Sequence, residues 1–216
     1  MKQATGSSYF DVSQIAKILS SDGAAGDGFG GGGVSVAVDG DTMVIGAGSN
    51  DDRGSYTGSA YIYTRDVAGS LTAGWTQRAK LLATDGAENQ FFGASVAISG
   101  DTVVVGAYGD DDKGSGSGSA YIYTRDDAGS LTASWTQRAK LLASDGAAND
   151  YFGFSVAISG NTAVVGAYGD DDDKGSAYIF TTASVEFVAI EASMGGARTR
   201  MYNYMLMGCQ QLIGIV

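Results

Sequence analysis

Proline and histidine are absent from all 216 residues, and cysteine occurs once, at Cys209. Without proline, the turns must be made by Gly, Asp, Asn and Ser, which accept positive φ. Without histidine, the commonest general base and the commonest transition-metal ligand are both gone. A single cysteine excludes an intrachain disulfide framework. Basic residues are scarce, 13 against 24 acidic ones, for a formal charge of −11. Such a surface repels phosphate backbones, so nucleic acid is not an expected partner, whereas cations are attracted. No run approaches the roughly 20 apolar residues of a membrane-spanning helix, and none is expected. The opening stretch, MKQATGSSYFDVSQIAKILSS, lacks the continuous apolar core of a secretion signal. It reads as a chain exported by another route or not at all, or as a piece of a longer one.

Glycine is abundant, at 34 residues, and it is spaced regularly between apolar runs. The spacing is a repeat of 60 residues. Gly40-Asp41-Thr42, Gly100-Asp101-Thr102 and Gly160-Asn161-Thr162 mark the same point in three copies, and WTQRAKLLA occurs at both 75–83 and 135–143. A period this long belongs to a propeller, solenoid or array in which one supersecondary unit is stacked on its copies.

The second copy shows the unit most clearly. Residues 92–99 alternate and read as a strand. Ser99-Gly100-Asp101 forms a tight turn. Residues 102–108 are β-branched and apolar on both faces, as in a strand sandwiched between layers. An acidic, glycine-rich loop leads to a third strand at 119–125, and a polar loop leads to a fourth at 135–142, whose Arg138 and Lys140 discourage edge pairing. Four short antiparallel strands per unit describe a propeller blade, so the expected fold class is all-β, with about three β-propeller blades.

The copies are out of phase with the chain. Residues 14–19 match 137–142 and are expected to form a fourth strand without its first three; two full blades follow, and then three strands of a third blade ending near Phe180. The expected organisation is a tail at 1–13, repeats at 14–182 and a non-repeat segment at 183–216. The last segment is apolar in places and suits a short helix or a strand covering an open blade edge. Closed propellers use about four to eight blades. Three are too few, which predicts either a segment of a longer propeller or a homodimer closing a six-bladed ring.

Phe92-Gly93, Ser95-Val96-Ala97, residues 103–107 and residues 118–123 together resemble the FG-GAP repeat, known from the integrin α-subunit propeller and from microbial surface proteins. Phe152-Gly153 and residues 164–167 agree with it in the third copy, and Phe29-Gly30 and Gly46-Ala47 agree more loosely in the first. The resemblance implies a non-enzymatic propeller for binding or adhesion, outside the cell or on its surface, commonly calcium-assisted, with a protein or glycan ligand. The family's calcium loop lies just before the Val-Val-Gly-Ala strand. Here that place holds only Ser99-Gly100-Asp101 or Ser159-Gly160-Asn161, so its ligands do not carry over.

Other acids remain as metal candidates. Asp110, Asp111 and Asp112, then Asp170, Asp171 and Asp172 with Asp173, and the sparser Asp51 and Asp52 cluster beside glycines in equivalent loops. Calcium takes six to eight oxygens, several from carboxylates on a flexible loop. These clusters lack the alternation of known calcium loops and equally suit solvated hairpin tips, with Lys113 and Lys174 as competing cations. Asp85 and Asp145 are expected to bond turn amides between blades. Tyr61, Tyr63, Tyr121, Tyr123 and Tyr178 are expected to pack between sheets with their hydroxyls at an edge. Trp75 and Trp135 suit either inter-blade packing or a binding patch. No catalytic residues are expected, because the acids recur in several near-equivalent copies. A scaffold without its own ligand is the alternative role, and a carbohydrate-active enzyme built on paired carboxylates is a weaker one.

Overall fold

The computed structural model describes residues 13–31 and 35–182, together with the backbone of strands within 186–194, 197–206 and 209–211. Two units divide the chain, Met1–Phe180 and Thr181–Val216. In the first unit, β1 (Val36–Asp39), β2 (Thr42–Ala47), β3 (Ser59–Arg65) and β4 (Trp75–Leu81) form one antiparallel sheet in chain order. A second sheet repeats it with β5 (Ser95–Ser99), β6 (Thr102–Ala107), β7 (Ser119–Arg125) and β8 (Trp135–Leu141). The third holds β9 (Phe152–Ser159), β10 (Thr162–Ala167) and β11 (Ser176–Thr181), in the order β11-β10-β9. The second unit is a separate three-stranded sheet, β12 (Glu186–Met194), β13 (Ala197–Leu206) and β14 (Cys209–Gln211). The 183–216 segment is thus strand rather than helix where it is described.

Each blade opens with a two-residue hairpin. Asp39 faces Thr42 and Ser99 faces Thr102 across the ladder, and Gly40 and Gly100 take φ of 54° and 56°. Left-handed geometry there matches the right-handed twist of the strands that follow. The second strand is apolar on both faces because sheets lie on both sides of it. Val103, Val105 and Ala107 of β6 pack with Val44, Ala60 and Ile62 of the first sheet. Val104, between them, packs with Ala163, Val165 and Ala167 of the third. The cores therefore lie between blades. Each is closed by one phenylalanine: Phe92 sits edge-on to Tyr121 and Tyr123, and Phe152 edge-on to Tyr178 and Phe180.

Two glycine sets let consecutive blades touch through their backbones. A Cβ on Gly46 would stand 1.8 Å from the Gly93 carbonyl oxygen, and one on Gly106 would stand 2.0 Å from that of Gly153. Gly93 and Gly153 are themselves left-handed, at φ 91° and 89°, and a Cβ there would meet the carbonyl oxygens of Ser59 and Ser119 in the preceding blade. The hydroxyl of Ser95 donates to the Gly153 oxygen at 2.7 Å, tying the second blade to the third.

Residues 14–19 depart from the sequence expectation. They form no strand, because a fourth strand needs a third to pair with and none of the described residues supplies one. The segment nevertheless lies along the first blade. Ile18 packs against Tyr61 and Tyr63, and the Leu19 carbonyl accepts the Tyr63 hydroxyl at 2.8 Å. Leu82 does the same for Tyr123 in the next blade, at 2.7 Å.

Gly153→Ala is expected to lose about 3 kcal/mol or more, combining backbone strain of about 1–3 kcal/mol with overpacking of about 1–3 kcal/mol. Gly100→Ala, equally left-handed but facing open space, is expected to lose only about 1–2 kcal/mol. Urea unfolding of the two variants checks the order.

Candidate functional site

Each repeat brings a carboxylate, a tyrosine and an acidic loop to the junction of two blades, and the outer strand delivers a lysine to the middle. In the second blade the Lys140 ammonium lies 2.7 Å from Asp85, 2.9 Å from Asp110 and 2.7 Å from Asp112. Asp110 is fully buried and also accepts the Tyr121 hydroxyl at 3.2 Å and the Gln90 carboxamide at 2.9 Å. In the first blade Lys80 pairs with Asp22 and Asp52, while Asn50 stands where Asp110 stands in the next copy. In the third, Tyr178 donates to both Asp145 and Asp170, at 2.9 and 2.8 Å. No ion pair to a lysine occurs there among the residues whose side chains are described.

The clusters shift their own titrations. At Asp22 the bond from Lys80 outweighs burial and holds the carboxyl below its ordinary value. Burial pushes Asp85 upward, but the bonds from Lys140 and Tyr121 prevail and leave it lowered. Desolvation works against the charge of Lys140, yet Asp112, Asp85 and Asp110 together raise its pKa well above normal. Burial raises the neighbouring phenols, Tyr63 to about 12.

The other acidic residues have local duties. Asp51 accepts the Tyr56 amide at 2.6 Å, and Asp111 accepts the Gly116 amide at 2.7 Å, so both brace their own loops. Asp171, Asp172 and Asp173 are exposed and take positive φ of 54°, 59° and 66°. Among the described residues, no three His, Cys, Asp or Glu side chains are grouped to hold a metal. Asp85 and Asp145 reach tyrosine hydroxyls of the blade they precede, and Asp85 keeps a bond from its own backbone amide as well. The turn amides go instead to Asp27, Gln90 and Asp150, which accept from the residue three positions earlier at 2.7, 2.9 and 2.6 Å. Those side chains sit inside the turn, three residues from the amide, whereas Asp85 and Asp145 face the next blade.

Trp75 and Trp135 are partly buried and pack against the core clusters of the first two blades. Arg65 and Arg125 lie over their rings at 4.5 and 4.8 Å. The same arginines approach Asp41 and Asp101 at 2.7 Å, which ties the outer hairpin to the inner turn.

A second constellation runs across all three blades, on their loops and, at Phe154, on β9. Tyr56 stacks on Phe91 at 5.4 Å, and Phe91 on Tyr108 at 4.9 Å. Tyr108 meets Phe154 edge-on at 5.5 Å, and Phe154 meets Tyr168 at 4.6 Å. Tyr151 stacks on Tyr168 at 4.9 Å. Tyr56, Phe154 and Tyr168 are about half exposed. Three members, Tyr56, Phe91 and Tyr151, hold left-handed backbones near φ 54°, which is costly for aromatic residues. In the sequence the aromatics that recur in register are those on strands, and this row does not recur in that way. Its signal was an aromatic at loop positions where another copy carries glycine: Phe91 and Tyr151 against Gly28, Tyr108 and Tyr168 against Gly48, and Tyr56 against Gly116.

Among the described residues no helix is long and apolar enough to cross a membrane. A sequence profile of the family described as FG-GAP repeat matches the chain three times, over residues 12–63, 75–123 and 135–180. A search of curated proteins returned no match.

Lys140→Met leaves the buried Asp110 without a cation and is expected to cost about 3–5 kcal/mol. Lys80→Met faces Asn50 and two half-exposed carboxylates, and is expected to cost about 1 kcal/mol. Denaturant melts rank the two. The pH profile should be a plateau with two edges. Asp22 and Asp85 titrate below their ordinary 3.8 in the folded chain, so their contribution is present above that value and is lost as pH falls beneath it. Lys140 titrates above its ordinary 10.5, so its contribution is complete below that value and is lost as pH rises beyond it. Melting temperature against pH measures both edges.

Proposed function

Because the chain belongs to the FG-GAP repeat family, we propose that it acts as a non-catalytic binding module of β-propeller type, recognising a protein partner through its aromatic rim. The observation that carries this reading is the six-ring row from Tyr56 to Tyr168, partly exposed, with three of its members on strained, left-handed backbones. Exposed aromatic patches mark association surfaces, and tyrosine offers a large, rigid, amphipathic contact at low entropic cost. A protein fits better than a glycan. Sugars stack on open ring faces, whereas Phe91, Tyr108, Tyr151 and Tyr168 already turn faces toward one another. What the rim offers a partner is ring edges and hydroxyls.

A catalytic role has little to draw on. The carboxylates gathered at the blade junctions are bonded to lysine, tyrosine or turn amides, and the chain has no histidine. An extracellular or cell-surface setting follows from the habit of the family and belongs to the same proposal.

Calcium assistance is a second reading, and the third copy is where it fits. In the first two copies a lysine already stands among the carboxylates. In the third, Asp145 and Asp170 share only the Tyr178 hydroxyl, and Asp171 and Asp172 face solvent.

Two measurements test these readings. On a protein array, the full chain is expected to give saturable signals that fall at least about tenfold, or 1.4 kcal/mol, in a Tyr56→Ser/Tyr108→Ser variant. Signals indifferent to the change, or no signals at all, would remove the rim from consideration. In calcium titrations followed by melting temperature, a rise is expected that Asp170→Asn/Asp172→Asn abolishes and Asp112→Asn keeps. No rise in the unmodified chain ends the calcium reading.

A further inference from the structure

We propose that two copies of this chain join head to tail, the third sheet of each against the first sheet of the other, with residues 14–19 of each serving as the missing fourth strand of the other's third blade. The two ends of the first unit are the two halves of the interface that the chain already makes twice internally.

The apolar faces come first. Between the first and second blades, Val96 and Ile98 pack against Val44 and Ile62, and are 1% and 8% exposed. Their counterparts at the front of the first blade, Val36 and Val38, are 57% and 65% exposed. At the other end Ile179, the counterpart of the buried Ile62 and Ile122, is 74% exposed. One end thus presents the inserting set and the other presents the receiving set.

The glycine seat agrees. Gly46 and Gly106 each carry the Phe-Gly backbone of the following blade, and Gly58 and Gly118 bridge Phe92 and Phe152. Gly166 and Gly175 are their third-blade counterparts. The atoms nearest them belong to their own sheet, Ser155 Oγ and the Tyr168 carbonyl. Together with Ser155, Ser176 and Phe154 they line an open cavity of about 390 Å³. The piece shaped for that seat is Phe29-Gly30, whose outward side meets no preceding sheet among the described residues.

Strand and charge complete the match. Residues 14–19 repeat the fourth-strand sequence, rest against the first blade as Leu82 rests against the second, and belong to no sheet. Within their own chain they are two sheets removed from β11, whose sheet ends at that strand. Lys17, the counterpart of Lys80 and Lys140, is exposed. In the assembly it reaches Asp145, Asp170 and Tyr178, the one cluster with no lysine among the described residues, and it takes the place that the calcium reading gives to a cation, so the two exclude each other there. Adding a strand to a sheet edge contributes main-chain hydrogen bonds, while the alternating side chains set the register. A contact between unlike ends closes only if its rotation does. Two copies of three blades give six, within the range of about four to eight that closes.

The rim variant above leaves this contact untouched, so the two proposals fail separately. Light scattering on the full chain across a concentration series is expected to give twice the 22.0 kDa chain mass. Val38→Asp and Ile179→Asp, both at exposed positions, should each give the single-chain mass with an unchanged circular dichroism spectrum. Mixing the two should restore association, because one intact seat then meets one intact insert. A single-chain mass for the unmodified protein, a higher multiple, a dimer that survives either substitution, or mixed variants that stay apart would each overturn the proposal.

Discussion

The backbone contact between each Phe-Gly pair and the glycine of the blade before it sets the position of everything else in the first unit. Three conditions meet there: a glycine without a Cβ on the second strand, a left-handed glycine on the next blade, and a phenylalanine that turns back into its own sheet. With Gly93 lodged against Gly46, Phe92 faces Tyr121 and Tyr123, and Ser59 stands over Gly93. The small residues of β2 and β6 let the sheets approach, and the rings of β3 and β7 fill the wider space. A propeller-type stack follows from the repetition of this one contact. Its spacing cannot be relaxed locally, because a Cβ at any of four positions would meet a carbonyl oxygen of the adjoining blade.

Once the blades are spaced this way, the outer strand can deliver its lysine to the junction. A buried carboxylate is costly without a cation, and Asp110 is fully buried with Lys140 beside it. The first copy reaches the same geometry more cheaply by placing Asn50 at that position. The acidic loops, which look alike in sequence, therefore differ in role: one holds a buried ion pair, one a neutral amide, and one an exposed acidic turn. A lysine stands between the carboxylates in the first two, and it comes from a strand 28 or 30 residues away.

The fold was largely legible. Period, glycine spacing and β-branched runs pointed to four-stranded blades, because in a repeat each residue's environment is set by its position in the copy. The tyrosines at 61, 121 and 178 were correctly placed between sheets, since an aromatic on a sandwiched strand has nowhere else to go. The candidate site was much less legible. That Lys140 answers Asp110, or that Asp85 reaches a phenol of the next blade, depends on which strand ends face each other across a junction. The aromatic rim is not legible in sequence because its members come from different loops and one strand and lie 14 to 46 residues apart in the touching pairs.

The sequence by itself determined the blade: its strand order, its turns and the residues buried on each face, all of which follow from alternation, glycine placement and side-chain size within some 60 residues. Tertiary structure alone decided how the acids and aromatics are used. Whether a carboxylate meets a lysine, a hydroxyl or water, and whether loop rings touch, depends on distances between blades. Those distances are set by the glycine contacts, where a difference of one Cβ moves whole sheets.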